Sequence, residues 1–249
     1  TMELSEEVQC YAARNEKVYT AGSGGHTEYL VNEGEKVRKG TKVLKVSGGG
    51  AGQPGDKYTS ILERLGSGAR QSDSYTTATN GVISYYIDGY ESTFTHKKIK
   101  KMTFDQVKDI QNDYMDLSRK SVLAGEPVYK LVTDETWNII IPLDDEKLEA
   151  LADKSSVSIR FLKNNLETTA GIEIMRRDGL AYGVLSLSNY MVDFAEDRYV
   201  QVELKLSQIE GLKIPATAII EKQFYTIPVG YVTTGGDDDS DGFLRETYM

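Results

Sequence analysis

Apolar positions in this chain recur mostly at every second residue, in short runs broken by glycine, proline, asparagine or aspartate. That is the pattern of half-buried β-strands separated by turns. Residues 5–20 (SEEVQCYAARNEKVYT) hold the first alternating stretches, followed by a GSGG turn at 22–25. Tyr29, Val31, Val37, Val43 and Val46 then punctuate a polar background around turns at Gly34 and Gly40. NGVISYYIDGYES (80–92) resumes strand character. Farther on, VYKLVT (128–133), TWNIIIPL (136–143), VSIRFLK (157–163), AYGVLSL (181–187) and RYVQVELKL (198–206) each read as strands. LKIPATAII (212–220), QFYTIPVGYVTT (223–234) and GFLRETY (242–248) finish the series. Many short strands at regular spacing predict a mainly β protein containing a sandwich or barrel.

Helical periodicity is confined to two segments. In 103–118 (TFDQVKDIQNDYMDLS), Thr103 and Gln106 make a capping-box pattern, and Val107, Ile110, Tyr114 and Leu117 share a face. DDEKLEALAD (144–153) predicts a short helix between strands. Residues 47–79 differ in character: SGGGAGQPG is flexible in composition, and one or two helical turns gather around Ile61, Leu62 and Leu65. This stretch reads as a flexible or truncated hairpin insertion, either native or standing in for a longer segment.

Two parts of the chain echo one another. GHTEYLVNEG (25–34) and GVISYYIDG (81–89) share a glycine, three residues, a tyrosine, an apolar pair and an acid before glycine, the second copy being one residue shorter. Two such strand–turn units pairing together build a small sandwich whose edges neither half satisfies alone.

Composition narrows the function classes. A net charge of −9 disfavours a nucleic-acid partner, and HKKIKK (96–101) is the single dense basic run, read first as a solvated face. One cysteine, Cys10, excludes an internal disulfide framework, and two histidines, His26 and His96, leave little material for histidine catalysis or a zinc site. No G-x-S-x-G, H-E-x-x-H or P-loop pattern occurs, so no catalytic residue is assigned and the chain is read as a non-enzyme. Trp137, beside NIII, reads as a core or barrel-wall residue. Asp237, Asp239 and Asp241 have the spacing that opens an EF-hand loop, but Tyr248 stands where the closing glutamate belongs. They form a weak calcium candidate, against the plainer reading of an acidic hairpin tip. No apolar run reaches the ~20 residues of a membrane span.

The first half-motif, NEGEKVRKGTKV, and the second, NGVISYYIDGYES, resemble the two halves of a lipoyl-like domain. Such domains carry a cofactor on a hairpin lysine, but here the strand TKVLKV runs into SGGGAG at that position, so no cofactor is expected. Halves separated by an insertion and followed by a barrel resemble the HlyD-like membrane-fusion or periplasmic adaptor family, in the version found in Gram-positive, clostridial-type bacteria. LKIPATAIIEKQFYTIPVGYV is similar to that family's return strands.

The resemblance implies a lipoyl-like β-sandwich built from two half-motifs plus a β-barrel, with one or two short helices. The expected division is 1–24 as strands joining the barrel or membrane-proximal part, 25–46 and 80–92 as the lipoyl-like halves, 47–79 as the insertion, and 93–249 as the barrel and membrane-proximal β-domain. Gly34, Gly40, Gly81, Asp88 and Gly89 are the expected structural turn residues. The implied function is an extracytoplasmic adaptor in a transport or efflux assembly. The implied partners are an inner-membrane transporter or envelope protein and further copies of the chain, with a single-pass anchor upstream. A cell-envelope scaffolding module on the same fold is the alternative, and a cofactor-carrying enzyme subunit a third.

Overall fold

A computed structural model describes residues 2–50, 52, 55–102, 114–177 and 179–209. The strands expected at 212–248, and residues 103–113 of the helix expected over 103–118, lie outside the described residues. Two β-structures account for nearly all the rest, so the mainly β expectation holds.

Among the described residues, six antiparallel strands close a barrel in the order Met2–Ala13, Trp137–Leu143, Leu180–Leu187, Glu167–Arg177, Ser156–Phe161 and Tyr199–Ile209. Its interior follows the period of two. Val8, Cys10 and Ala12 face inward from the first strand, Trp137, Ile139 and Ile141 from the second, and Val200, Val202, Leu204 and Leu206 from the last. Trp137 is a core residue, its ring stacked on Phe161 and Phe194 at 5.9 and 5.5 Å, and its Nε1 donates to the Asn189 carbonyl at 2.8 Å.

The NIII run is apolar at every position because one stretch of barrel wall is covered on both faces. Ile140, Tyr182 and Val184 point outward and pack beneath Phe94, Ile99 and Met102 of the loop that follows the second half-motif.

The second structure is a sandwich. One sheet has the order Lys36–Val37, Gly81–Ser84, Pro127–Val132, Glu16–Ala21, Ala69–Ser72, and the other Ser121–Val122, Gly24–Tyr29, Leu44–Gly50. The two repeat halves meet directly. Gly34 N donates to the Ile83 carbonyl at 2.9 Å, Ile83 N donates to the Glu35 carbonyl at 3.1 Å, and Lys36 and Val37 pair with Val82 and Gly81. The equivalent tyrosines of the halves, Tyr29 and Tyr85, pack edge to face with centroids 4.9 Å apart. The equivalent acid–glycine pairs both end in a left-handed glycine, with φ of 72° at Gly34 and 83° at Gly89. Those dihedrals cost a side chain roughly 1 kcal/mol, which is why glycine sits there.

Four features differ from expectation. Residues 47–79, expected as a flexible insertion with one or two helical turns around Ile61, Leu62 and Leu65, contain a ten-residue helix at Asp56–Leu65 and the strand Ala69–Ser72, which pairs in parallel with Glu16–Ala21. Tyr58, Ile61 and Leu65, spaced three and four apart, bury one helix face in the sandwich core. The expected helix does not extend to residue 118, because Met115–Asp116 pairs as a strand with Tyr86–Ile87. Pro127–Val132 belongs to the sandwich and not to the barrel segment expected from residue 93 onward. The barrel strand Glu167–Arg177 is additional; only Ala170 along it is fully buried, so its apolar alternation is weak. The short helix at Asp145–Leu151 forms as expected, with the Asp144 carboxylate accepting from Lys147 N at 2.9 Å.

Gly81 and Gly34 separate two reasons for glycine. A Cβ at Gly81 would lie 2.3 Å from the Val132 carbonyl oxygen, whereas at Gly34 nothing lies within 4 Å. Gly34→Ala is expected to lose about 1 kcal/mol through backbone conformation alone. Gly81→Ala is expected to lose about 2 to 4 kcal/mol, because a neighbouring strand must shift. Urea unfolding of the two variants measures both losses, and equal losses would contradict the assignment.

Candidate functional site: the barrel–sandwich joint

The chain crosses between the two structures at short connections. Ala13 ends a barrel strand and Glu16 begins a sandwich strand; Val132 ends a sandwich strand and Trp137 begins a barrel strand. The loop after the second half-motif lies against the same place. These connections deliver six ionisable side chains to one buried cluster: Arg14, Glu16, Asp88, Glu91, Lys130 and Arg198, each between 1 and 8% exposed.

Glu16 is its centre. Oε1 faces Arg14 Nη2 and Lys130 Nζ, both at 3.0 Å, and Oε2 accepts from Arg198 Nη2 at 2.5 Å. Arg198 also grips Asp88, with Nε donating to Oδ2 at 2.7 Å and Nη2 to Oδ1 at 3.3 Å, and its Nη1 donates to the Ala12 carbonyl at 2.6 Å. Arg14 reaches the barrel, donating to the Phe194 carbonyl and, at 2.8 Å, to the Asp197 carbonyl. Each arginine therefore ties backbone of the barrel to a carboxylate at the foot of the sandwich. Paired, multiply bonded guanidinium is the form in which such charge tolerates burial.

Burial pushes the Glu16 carboxyl up, but Arg14, Arg198 and Lys130 outweigh it and hold the group far below the usual carboxylate range. Asp88 shows the same balance: burial raises it, and Arg198 brings it below its ordinary value. Glu91 goes the other way. Its Oε1 accepts from Asp88 N at 2.9 Å and its Oε2 has no hydrogen-bond partner. Burial, then the neighbouring charge of Asp88, push its carboxyl up to about 7.

The structure brings one of the sequence-predicted residues, Asp88, into this cluster. Gly34, Gly40 and Gly89 occupy left-handed turn positions, with φ of 72, 85 and 83°, and Gly81 lies in a strand. Asp237, Asp239 and Asp241 lie outside the described residues. Among the described residues, no group of His, Cys, Asp and Glu side chains gathers as metal ligands. His26 is exposed, and no described helix is long and apolar enough to cross a membrane. Sequence reading missed Arg14, Glu16, Glu91, Lys130 and Arg198. The available signal was Lys130, a charge inside the otherwise apolar VYKLV strand.

The arrangement is suited to holding two domains at a fixed angle. Arg198→Met strands Asp88 and part of Glu16 in a dry site and is expected to cost about 3 to 5 kcal/mol in chemical unfolding. The pH dependence has two opposite limbs. Stability from Glu16 and Asp88 is present above their ordinary values of 4.5 and 3.8 and is lost as pH falls through their lower folded values. Glu91, raised in the folded state, binds a proton more tightly there than in the unfolded chain. Stability therefore falls as pH rises from its ordinary 4.5 to about 7. Glu91→Gln is expected to abolish that upper limb, amounting to about 3 kcal/mol at most. Parallel stability–pH curves for the variant and the parent protein between these pH values would refute the assignment.

Comparison with known proteins gives a family and a weak structural likeness. Residues 16–133 match the family described as RND-related, barrel-sandwich hybrid domain. No curated protein matches the chain. Among solved structures, a MacA–MexA chimeric protein containing the Pseudomonas aeruginosa MexA α-hairpin domain overlaps with a TM-score of 0.39 at 12% identity, covering 90% of this chain and 92% of that one. MacA from Actinobacillus actinomycetemcomitans overlaps with a TM-score of 0.38 at 10% identity, covering 82% and 79%. Those scores describe a partial overlap, and it is the family match that bears on identity. The matched stretch begins at Glu16 and ends at Thr133, the same two crossings that bound the sandwich. Residues 16–133 thus match the RND-related barrel-sandwich hybrid domains, which supports the likeness to HlyD-like membrane-fusion adaptors read from the two half-motifs.

Proposed function

We propose that the protein is an extracytoplasmic adaptor subunit of a transport or efflux assembly, working by protein–protein assembly and not by catalysis. The observation that supports this is the hybrid domain itself: two interlocked half-motifs, with no lysine at the carrier hairpin, joined to a barrel by a buried ionic clasp. The clasp uses its acids and bases on one another. Glu16 and Asp88 are occupied by guanidinium and ammonium groups and are therefore poor candidates for proton transfer to a substrate.

In this reading the barrel and sandwich pack beside further copies of the chain and against an inner-membrane transporter, held near the bilayer by a single-pass segment upstream. The clasp keeps the two domains aligned so that neighbouring copies present matching faces.

The test is association. Expressed with an inner-membrane transporter from the same organism, the protein is expected to co-purify with it after mild crosslinking and to sediment as an oligomer at assembly concentrations. Loss of transport on deletion, restored by the parent protein and not by Arg198→Met held below its melting temperature, supports the adaptor role. Undiminished transport without the protein, together with a monomer at every concentration, would overturn it and favour an envelope scaffold.

A further inference from the structure

A basic surface lies on the barrel. In the loop 96–102, Ile99 and Met102 are buried against the barrel wall, and the Tyr182 hydroxyl lies 3.1 Å from both the Ile99 and Met102 carbonyl oxygens. From the next strand, the Arg177 guanidinium donates to the carbonyls of Lys100 and Lys101 at 3.0 and 3.2 Å. The backbone of the loop is therefore pinned, while the side chains of Lys97, Lys98, Lys100 and Lys101 remain exposed beside exposed Arg176 and Arg177. Glu173 neutralises Lys100 at 2.6 Å, and Lys98 Nζ donates to the Ser92 carbonyl at 2.7 Å. In the sequence, Asp178 follows Arg177. Lys97, Lys101 and Arg176 have no ion pair among the described residues.

Concentrating cations on a rigid turn costs mutual repulsion, and this protein has a net charge of −9 overall. A solvated face needs no such concentration. Beside the cations, Leu180 is 44% exposed, one of few large apolar side chains presented to solvent among the described residues. An exposed leucine paired in register with Arg177, on a surface that also carries the 96–102 lysines, offers the chemistry of a bilayer surface, apolar contact together with cations for anionic headgroups.

Strand register fixes where the hairpin end of this surface lies; its other end reaches back toward the sandwich, where His96 Nδ1 lies 2.5 Å from Asn138 Oδ1 and Lys98 reaches Ser92. Trp137–Leu143 leaves the sandwich at Trp137 and ends at Leu143, opposite Ala181. The hairpin Arg177–Leu180 is one residue farther on, at the barrel end away from the sandwich. The strand Met2–Ala13 runs antiparallel to Trp137–Leu143, pairing Ala13 with Asn138, so its Met2 end projects toward the same barrel end.

We propose that the hairpin Arg177–Leu180, with Arg176 and the lysines of the 96–102 loop, is a docking surface for anionic phospholipid, holding the distal end of the barrel on a membrane. The proposal goes beyond the adaptor reading and needs no transporter. At physiological ionic strength charges more than about 8 Å away are largely screened, so the distant acids do not cancel the patch.

Sedimentation of the purified protein with vesicles tests it. Vesicles of phosphatidylglycerol and phosphatidylcholine, mixed about one to two, are expected to pull the protein down, and pure phosphatidylcholine vesicles are not. Each cation removed is expected to weaken binding about fivefold, so the triple variant Lys97→Gln, Lys101→Gln, Arg176→Gln should bind about a hundredfold more weakly. Leu180→Ser should weaken it severalfold with unchanged salt dependence. All four positions are exposed, so unchanged thermal melting confirms that the variants fold. Failure of the parent protein to bind, or equal binding by the triple variant, overturns the proposal. Charge-dependent capture by an acidic protein face without vesicle binding overturns it as well. None of these outcomes depends on whether the chain assembles with a transporter.

Discussion

The fold turns on one carboxylate. Glu16 lies at the first residue of the sandwich, out of water, and three cations from three parts of the chain converge on it: Arg14 from the barrel exit, Lys130 from the returning sandwich strand and Arg198 from the entrance to the last barrel strand. An isolated buried carboxylate is costly enough to protonate or unfold its surroundings. Here the penalty is offset only when both β-structures are complete, since neither supplies all the partners. That dependence couples the domains more specifically than apolar contact, which tolerates sliding. A buried pair is weak as a source of net stability, and its plausible gain is a unique geometry.

Much of the architecture was legible because it depends on local periodicity. The strands at 156–161 and 199–206 follow alternating burial, and Tyr29 and Tyr85, equivalent in the repeat, meet in the core because equivalent residues of two interlocked halves lie near their common contact. Legibility failed where tertiary contact overrides the local pattern. In the 47–79 stretch the helical turns around Ile61, Leu62 and Leu65 are legible, but the glycines on either side hide the strand Ala69–Ser72 and the burial of the helix face in the sandwich core. Glu167–Arg177 was missed because most of its residues are exposed, leaving little hydrophobic alternation to read. The clasp was illegible for a different reason: its members are 184 positions apart at the extremes, Arg14 to Arg198, and no one-dimensional spacing predicts such a meeting. A repeat could name Asp88 as a turn residue but not its guanidinium partner.

The two acid–glycine pairs of the repeat show how one local motif acquires two roles. Glu33, before Gly34, accepts from Tyr85 N at 2.5 Å and so ties the first half to the second. Asp88, before Gly89, faces the barrel and takes Arg198. Both acids precede a left-handed glycine, and that turn directs each side chain across the boundary beside it. The first boundary lies inside the sandwich and the second lies between the sandwich and the barrel. The same covalent pattern therefore closes the domain at one copy and connects it at the other.

The barrel converts this connection into alignment at a distance. Met2–Ala13 and Tyr199–Ile209 pair along their whole length, from Tyr11 opposite Tyr199 near the clasp to Met2 opposite Ile209 at the other end. A closed antiparallel barrel has no free edge along which such a pair can shear, because every strand is hydrogen-bonded on both sides. An orientation fixed at Arg198 is thus carried along continuous strands to the end bearing the Arg177–Leu180 hairpin. If that end is held on a surface, the sandwich cannot tilt independently, because tilting it would expose Glu16 or separate it from its cations. The constraint that makes the joint expensive to open is the same one that lets contact at one end of the barrel set the direction of the other domain.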